Sequence, residues 1–119
     1  MHHWIVLQAE DPEENVLVRA IAYRRRISVM YNRERLKLDP HLLYFRGEDA
    51  FMLALNPEKP VSRDQGPRLG QFKLAGLSEV TLEPANFTPL AGFDGQAPRR
   101  DDSVIITAID SERSVQRQA

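Results

Sequence analysis

The chain has 119 residues, with 16 Lys and Arg against 17 Asp and Glu, and no cysteine. That length suits a single domain with one modest core, and the near-balanced charge gives no global pull toward nucleic acid or an anionic membrane. The absence of cysteine excludes a disulfide framework, a thiolate metal site and a cysteine nucleophile.

No apolar run approaches the roughly 20 residues a membrane helix needs. The opening "MHHWIVL" lacks the cationic start and cleavage site of a signal peptide, so a soluble, cytoplasmic protein with no membrane partner is expected. Residues 1–10 contribute only a short strand-like run, "WIVL". The stretch "DPEENVLVRAIAYRRR", residues 11–26, has helix marks: Asp11 as N-cap, Pro12 at the first helical position and Glu14 three residues after the cap. Leu17, Ala20, Ile21 and Arg24 share one face beside Val16, as an amphipathic helix requires. The acidic start and the basic "RRR" end complement the helix dipole, so the plain role of Arg24, Arg25 and Arg26 is a helix C-terminus.

Alternation then predicts strands. "ISVMYN" (27–32) sets Ile27, Val29 and Tyr31 against Ser28, Met30 and Asn32. In "LKLDPHLLYFRGEDAFMLALN" (36–56), Leu36, Leu38, Leu42 and Tyr44 alternate around Pro40, a Gly-containing turn follows, and Phe51, Leu53 and Leu55 alternate again. That is a hairpin whose first strand bends at Pro40. Three prolines and a glycine make 57–68 a loop. "LGQFKLAGL" (69–77) and "SEVTLEP" (78–84) are the fourth and fifth strands. Five short, bent antiparallel strands under one helix are best closed into a barrel. The expected fold class is mainly β: a small five-stranded SH3-like or Sm-like barrel with an N-terminal capping α-helix and an extra C-terminal strand. One apolar face should place Leu38, Leu42, Phe51, Leu53, Phe72, Leu74 and Val80 in the core with Leu17 and Ile21.

The barrel domain is expected over 11–87. Residues 88–119 then form a Gly- and Pro-rich loop, a strand "SVIITAID" over 103–110, and a polar tail. That strand is apolar on both faces and needs cover. It is expected to pair with the N-terminal "WIVL" in a small extra sheet, with a homodimer built on it as a consequence.

Catalytic chemistry finds little support. His41 is the one histidine outside the N-terminus, and a lone strand histidine is expected at the surface. No ligand spacing suggests a metal, no glycine pattern suggests a phosphate loop, and capping explains the carboxylates near residue 11. No enzymatic activity, metal or cofactor is expected. Charge is more informative: residues 19–37 hold Arg19, Arg24, Arg25, Arg26, Arg33, Arg35 and Lys37 against the single Glu34, with Tyr23, Tyr31 and Tyr44 nearby. Such a surface has the parts to stack bases and neutralise phosphates.

The order of pieces resembles the WYL domain, named for a Trp-Tyr-Leu run on its third strand. The resemblance covers roughly residues 17–87. It rests on "LVRAIAYRRRISVMY" as helix and first strand, the hairpin "LKLDPHLLYFRGEDAFMLALN", "GQFKLAGLSEV" as the family's Phe-Arg strand, and Phe87 as a closing aromatic. The name-giving run is here Phe51-Met52-Leu53, the Phe-Arg pair is Phe72-Lys73, and arginines usual in the family are replaced by Leu36 and Gly76. The family's basic positions line a pocket for a nucleotide or single-stranded nucleic acid, and its members commonly follow a helix-turn-helix segment in bacterial regulators. Only about ten residues precede the helix here, so a stand-alone module is expected.

Two readings follow. One is a ligand-sensing or nucleic-acid-binding regulatory module acting through Arg24, Arg26, Arg35, Lys37, Tyr44 and Lys73. The other is a protein-protein interaction or oligomerisation module that has lost the pocket.

Overall fold

The computed structural model describes residues 12–61, 63–64 and 66–109. The expected cap at Asp11 with Glu14, the "WIVL" run and the polar tail lie outside what is described. One helix, α1 (Pro12–Ala22), precedes six strands: β1 (Arg25–Tyr31), β2 (Glu34–Arg46), β3 (Asp49–Leu55), β4 (Gly70–Lys73), β5 (Leu77–Asn86) and β6 (Ser103–Thr107). A 3-10 turn, Leu74–Gly76, joins β4 to β5. Every pairing is antiparallel, in the order β4-β3-β2-β1-β5, with β6 added to β2. This is the mainly β, barrel-like unit with an N-terminal helix that the alternation predicts.

Local turns set this order. Asn32 and Arg33 have φ of 51° and 65°, the two positive values a type I′ turn needs, and they join β1 to β2 directly. Gly47, at φ 62°, turns β2 into β3. The 13-residue β2 is then long enough to change partners: 34–38 pair with β1, 39–46 with β3, and 42–45 also with β6.

His41 is the surplus residue at that change. Pro40 pairs with Ala54 and Leu42 with Leu53, so His41 has no opposite number and the register slips by one. A one-residue slip exchanges the faces of a strand. Leu38 before the bulge and Leu43 after it therefore share one core with Met52 and Ala54. This corrects the alternation across Pro40. Phe51 and Leu53 are half-buried on the opposite face, and Leu42 and Tyr44, though fully buried, lie on that face too. The remaining core expectations hold: Leu17, Ala20 and Ile21 of α1 pack on Ile27, Val29, Leu77 and Val80, with Phe72 and Leu74 at the rim.

Three further boundaries differ. The helix ends at Ala22; Arg24 occupies a left-handed turn at φ 55°, and Arg25 and Arg26 begin β1, so "RRR" is the exit from the helix rather than its last turn. The stretch 69–77 is strand only to Lys73, because Leu74–Gly76 turns the chain sharply. β6 runs only over Ser103–Thr107 and pairs with β2, matching Leu42 with Thr107 and Tyr44 with Val104; its expected partner "WIVL" lies outside the described residues. The edge freed where β1 leaves β2 supplies ladder partners that β6 takes.

Candidate functional site

The sheet β2-β1-β5 presents Arg35 and Lys37 outward beside Ser28, which lies opposite Lys37 on one side and Thr81 on the other. Arg35 donates from Nη1 to Ser28 Oγ at 3.3 Å and to the Glu79 carbonyl at 3.2 Å, and its Nη2 meets Glu79 Oε1 at 2.6 Å. Arg26 makes a two-pronged pair with Asp39, Nε to Oδ1 at 2.7 Å and Nη2 to Oδ2 at 3.3 Å. Asp39 is buried, so this pair is compensated charge rather than a free cation. Lys37 meets no carboxylate among the described residues.

Lys73 lies on β4, opposite Phe51, which sits opposite Tyr44. Arg35 and Lys73 are each engaged by a different carboxylate, Glu79 and Asp49. Lys73 Nζ is 3.8 Å from Asp49 Oδ1, a loose pair of half-exposed side chains. Gly76, where the family carries arginine, faces the Tyr31 ring: a Cβ there would lie 2.9 Å from a ring carbon. Tyr31 is itself held edge-on against Phe72, with centroids 5.1 Å apart. Gly76→Arg should therefore destabilise the fold by roughly 1 to 3 kcal/mol, measured as a drop in urea midpoint, rather than restore a basic pocket; an unchanged midpoint would show that Tyr31 yields freely.

Tyr44 is fully buried and takes no part in any exposed stacking surface. Its ring stacks on Phe51 at 5.6 Å, and the Arg46 guanidinium lies 5.6 Å above Tyr44 and 5.2 Å above Phe51. Arg46 in turn grips Asp102, Nε to Oδ1 at 2.9 Å and Nη2 to Oδ2 at 3.0 Å, and the Arg99 backbone N–H adds a third bond to that carboxylate. The hydrogen bond from Arg46 holds the Asp102 carboxyl below its usual range. Burial pushes the Tyr44 phenol up against the pull of the Arg46 cation, and among the described residues its hydroxyl has no hydrogen-bond partner. This cluster, unforeseen in the sequence, fastens the approach to β6 onto the β2-β3 hairpin.

His41 corrects a second expectation: it is fully buried, not superficial. Nδ1–H donates to the Asp39 carbonyl at 2.8 Å and Nε2 accepts the Leu90 N–H at 2.9 Å. Both partners are backbone groups of fixed polarity, so the ring is the neutral Nδ1–H tautomer. Phe87 stacks on it and Phe93 meets it edge-on, each at 5.1 Å, and the His41 carbonyl accepts the Ala108 N–H at 2.8 Å. Burial lowers its pKa. With both nitrogens engaged, His41 holds segment 88–108 in place and has no nitrogen left for proton transfer.

At the exit of α1 the cations are held differently. Arg24 Nε donates to the Ala108 carbonyl and Arg25 Nε to the Glu83 carbonyl, each at 2.9 Å. Neither meets a carboxylate among the described residues. Asn86 Nδ2 donates to the Tyr23 and Arg24 carbonyls at 3.2 and 3.3 Å, and the Phe87 N–H reaches the Arg24 carbonyl at 2.9 Å, so β5 braces this turn. Tyr23 is 71% exposed.

No family model and no curated protein matches the chain. Among solved structures it is similar to "Proteasome accessory factor B/C (PafBC) of Arthrobacter aurescens", with a TM-score of 0.55 and 18% identity. That likeness covers 68% of this chain and 13% of the other, and it speaks for the fold alone.

Proposed function

We propose that this chain is a non-enzymatic, WYL-like regulatory module that binds an anionic ligand, a nucleotide or single-stranded nucleic acid, without transforming it. The fold likeness supports the scaffold. The observation that carries the ligand is the charge balance of residues 19–37. Arg26 and Arg35 are cancelled by Asp39 and Glu79, but Arg19, Arg24, Arg25, Arg33 and Lys37 meet no carboxylate among the described residues. Uncompensated cations release counterions when phosphates replace them, so binding should be modest and steeply weakened by salt. Fluorescence anisotropy of a labelled oligothymidylate in low and in physiological salt tests this. Absence of binding at low salt removes the reading.

A second reading has its own observation. Arg35 and Lys73, expected pocket residues, each face a carboxylate of their own, Glu79 and Asp49, while Tyr31 fills the place at Gly76. Loss of that pocket fits a protein-contact or homodimeric module. A concentration-dependent mass by light scattering, with no oligonucleotide binding, would favour it.

A further inference from the structure

We propose that the turn from α1 into β1 is a recognition site for a phosphate joined to a planar base, with Tyr23 as the stacking face and Arg19, Arg24 and Arg25 as the cations. This deepens the nucleotide or nucleic-acid reading above and rests on it.

Tyr23 is the most exposed large apolar side chain among the described residues, and its ring packs on no other ring there. An aromatic face left in water beside several arginines has the composition of a base-stacking platform. The neighbouring cations are oriented without being neutralised. Each of Arg24 and Arg25 spends Nε on a neutral carbonyl, which fixes the guanidinium plane, and among the described residues no bond engages the terminal nitrogens, which suit phosphate oxygens. Arg19, exposed in the last turn of the helix, lies four residues before Tyr23 and accepts its N–H through the backbone carbonyl.

The backbone between them is already set. The Tyr23 N–H bonds the Arg19 carbonyl at 3.0 Å, Arg24 holds its left-handed φ of 55°, and Asn86 and Phe87 tie the turn to β5. A site so braced loses little freedom on binding. By contrast, Arg26, Arg35, Arg46 and Lys73 all face carboxylates. An acidic peptide would satisfy the arginines and leave the Tyr23 face unused; a base-bearing phosphate uses both.

Anisotropy titrations of labelled oligothymidylate against the full chain test the assignment, with AMP and inorganic phosphate as competitors. Tyr23→Ala should weaken binding by about fivefold or more. Arg19→Ala and Arg25→Ala should each flatten the dependence of log K on log salt by about 0.7, the loss of one phosphate contact on a single strand. Arg35→Ala, whose charge Glu79 already offsets, should change neither. Competition by AMP where phosphate fails assigns a mononucleotide site, and competition by oligonucleotides alone assigns a strand; either supports the site. Wild-type affinity and salt slope in Tyr23→Ala and Arg19→Ala would overturn it while leaving the proposed function standing. Absence of binding by the native chain would remove both.

Discussion

Lowering the pH from 7 toward 5 should reduce the unfolding free energy with a slope approaching about 1.4 kcal/mol per pH unit below pH 6.5, and the His41→Gln variant should lack that slope. In the folded protein His41 is neutral because burial disfavours its cation, and because the Leu90 N–H points at Nε2 and needs a lone pair there. The unfolded chain has no such constraint and takes up the proton near pH 6.5. Its folded pKa is depressed, so the stabilisation is complete above the unfolded value and is lost as pH falls from there toward the folded value. Carboxylates such as Asp102, whose pKa lies below the usual range, act at lower pH and leave this window to histidine. His2 and His3 are present in both proteins, so the difference between them reports His41. Urea denaturation across the pH series is the measurement; parallel curves for native protein and variant would refute the buried neutral ring. At neutral pH, His41→Ala should cost about 3 kcal/mol or more, since it strands the Asp39 carbonyl and the Leu90 N–H and opens a space between Phe87 and Phe93.

Leu43→Ala should cost roughly 2 to 5 kcal/mol, and Leu53→Ala under about 1.5. Leu43 has no exposed surface and belongs to the core with Leu38, Met52 and Ala54, whereas Leu53 is half-buried on the other face of β3. The two leucines carry the same chemistry, so the comparison isolates the register set by the bulge at His41. Chemical denaturation with matched m-values gives both numbers. A larger loss for Leu53 would mean that β2 and β3 keep one uninterrupted alternation and that the slip at His41 is wrong.

Much of the scaffold was legible because its signals are local. Alternation marked β1, β2, β3 and β5, the apolar stripe Leu17, Ala20 and Ile21 marked the buried side of α1, and the prolines of 57–68 marked a loop. What escaped was set at a distance or by one inserted residue. A bulge leaves no compositional trace, so the alternation through "LKLDPHLLYF" looked continuous while the faces exchanged at His41. The charge excess of residues 19–37 looked larger than it is because Glu79 returns from β5 to meet Arg35 and because Asp39, just past that window, takes Arg26. Asp102, the partner of Arg46, comes from a segment whose Gly and Pro content announced only a loop. The helix exit carries Arg24 at a position where glycine would have flagged the turn.

The fastening of the chain after Phe87 to the barrel has a bearing on amide exchange. Leu90, Asp102 and Ala108 are attached at separate points, to His41, Arg46 and again His41, and β6 adds a short ladder on β2. The barrel strands, by contrast, are joined by longer ladders, and β1 and β2 are each paired on both edges. Segment 88–108 should therefore open as a unit of its own, at a free energy below that of global unfolding. In native-state hydrogen exchange with added denaturant, the amides of Leu90 and Ala108 should lose protection together and before those of Ile27 and Leu43. Mild acid should bring their exchange forward, because the proton that His41 then gains removes the acceptor at one end of the segment.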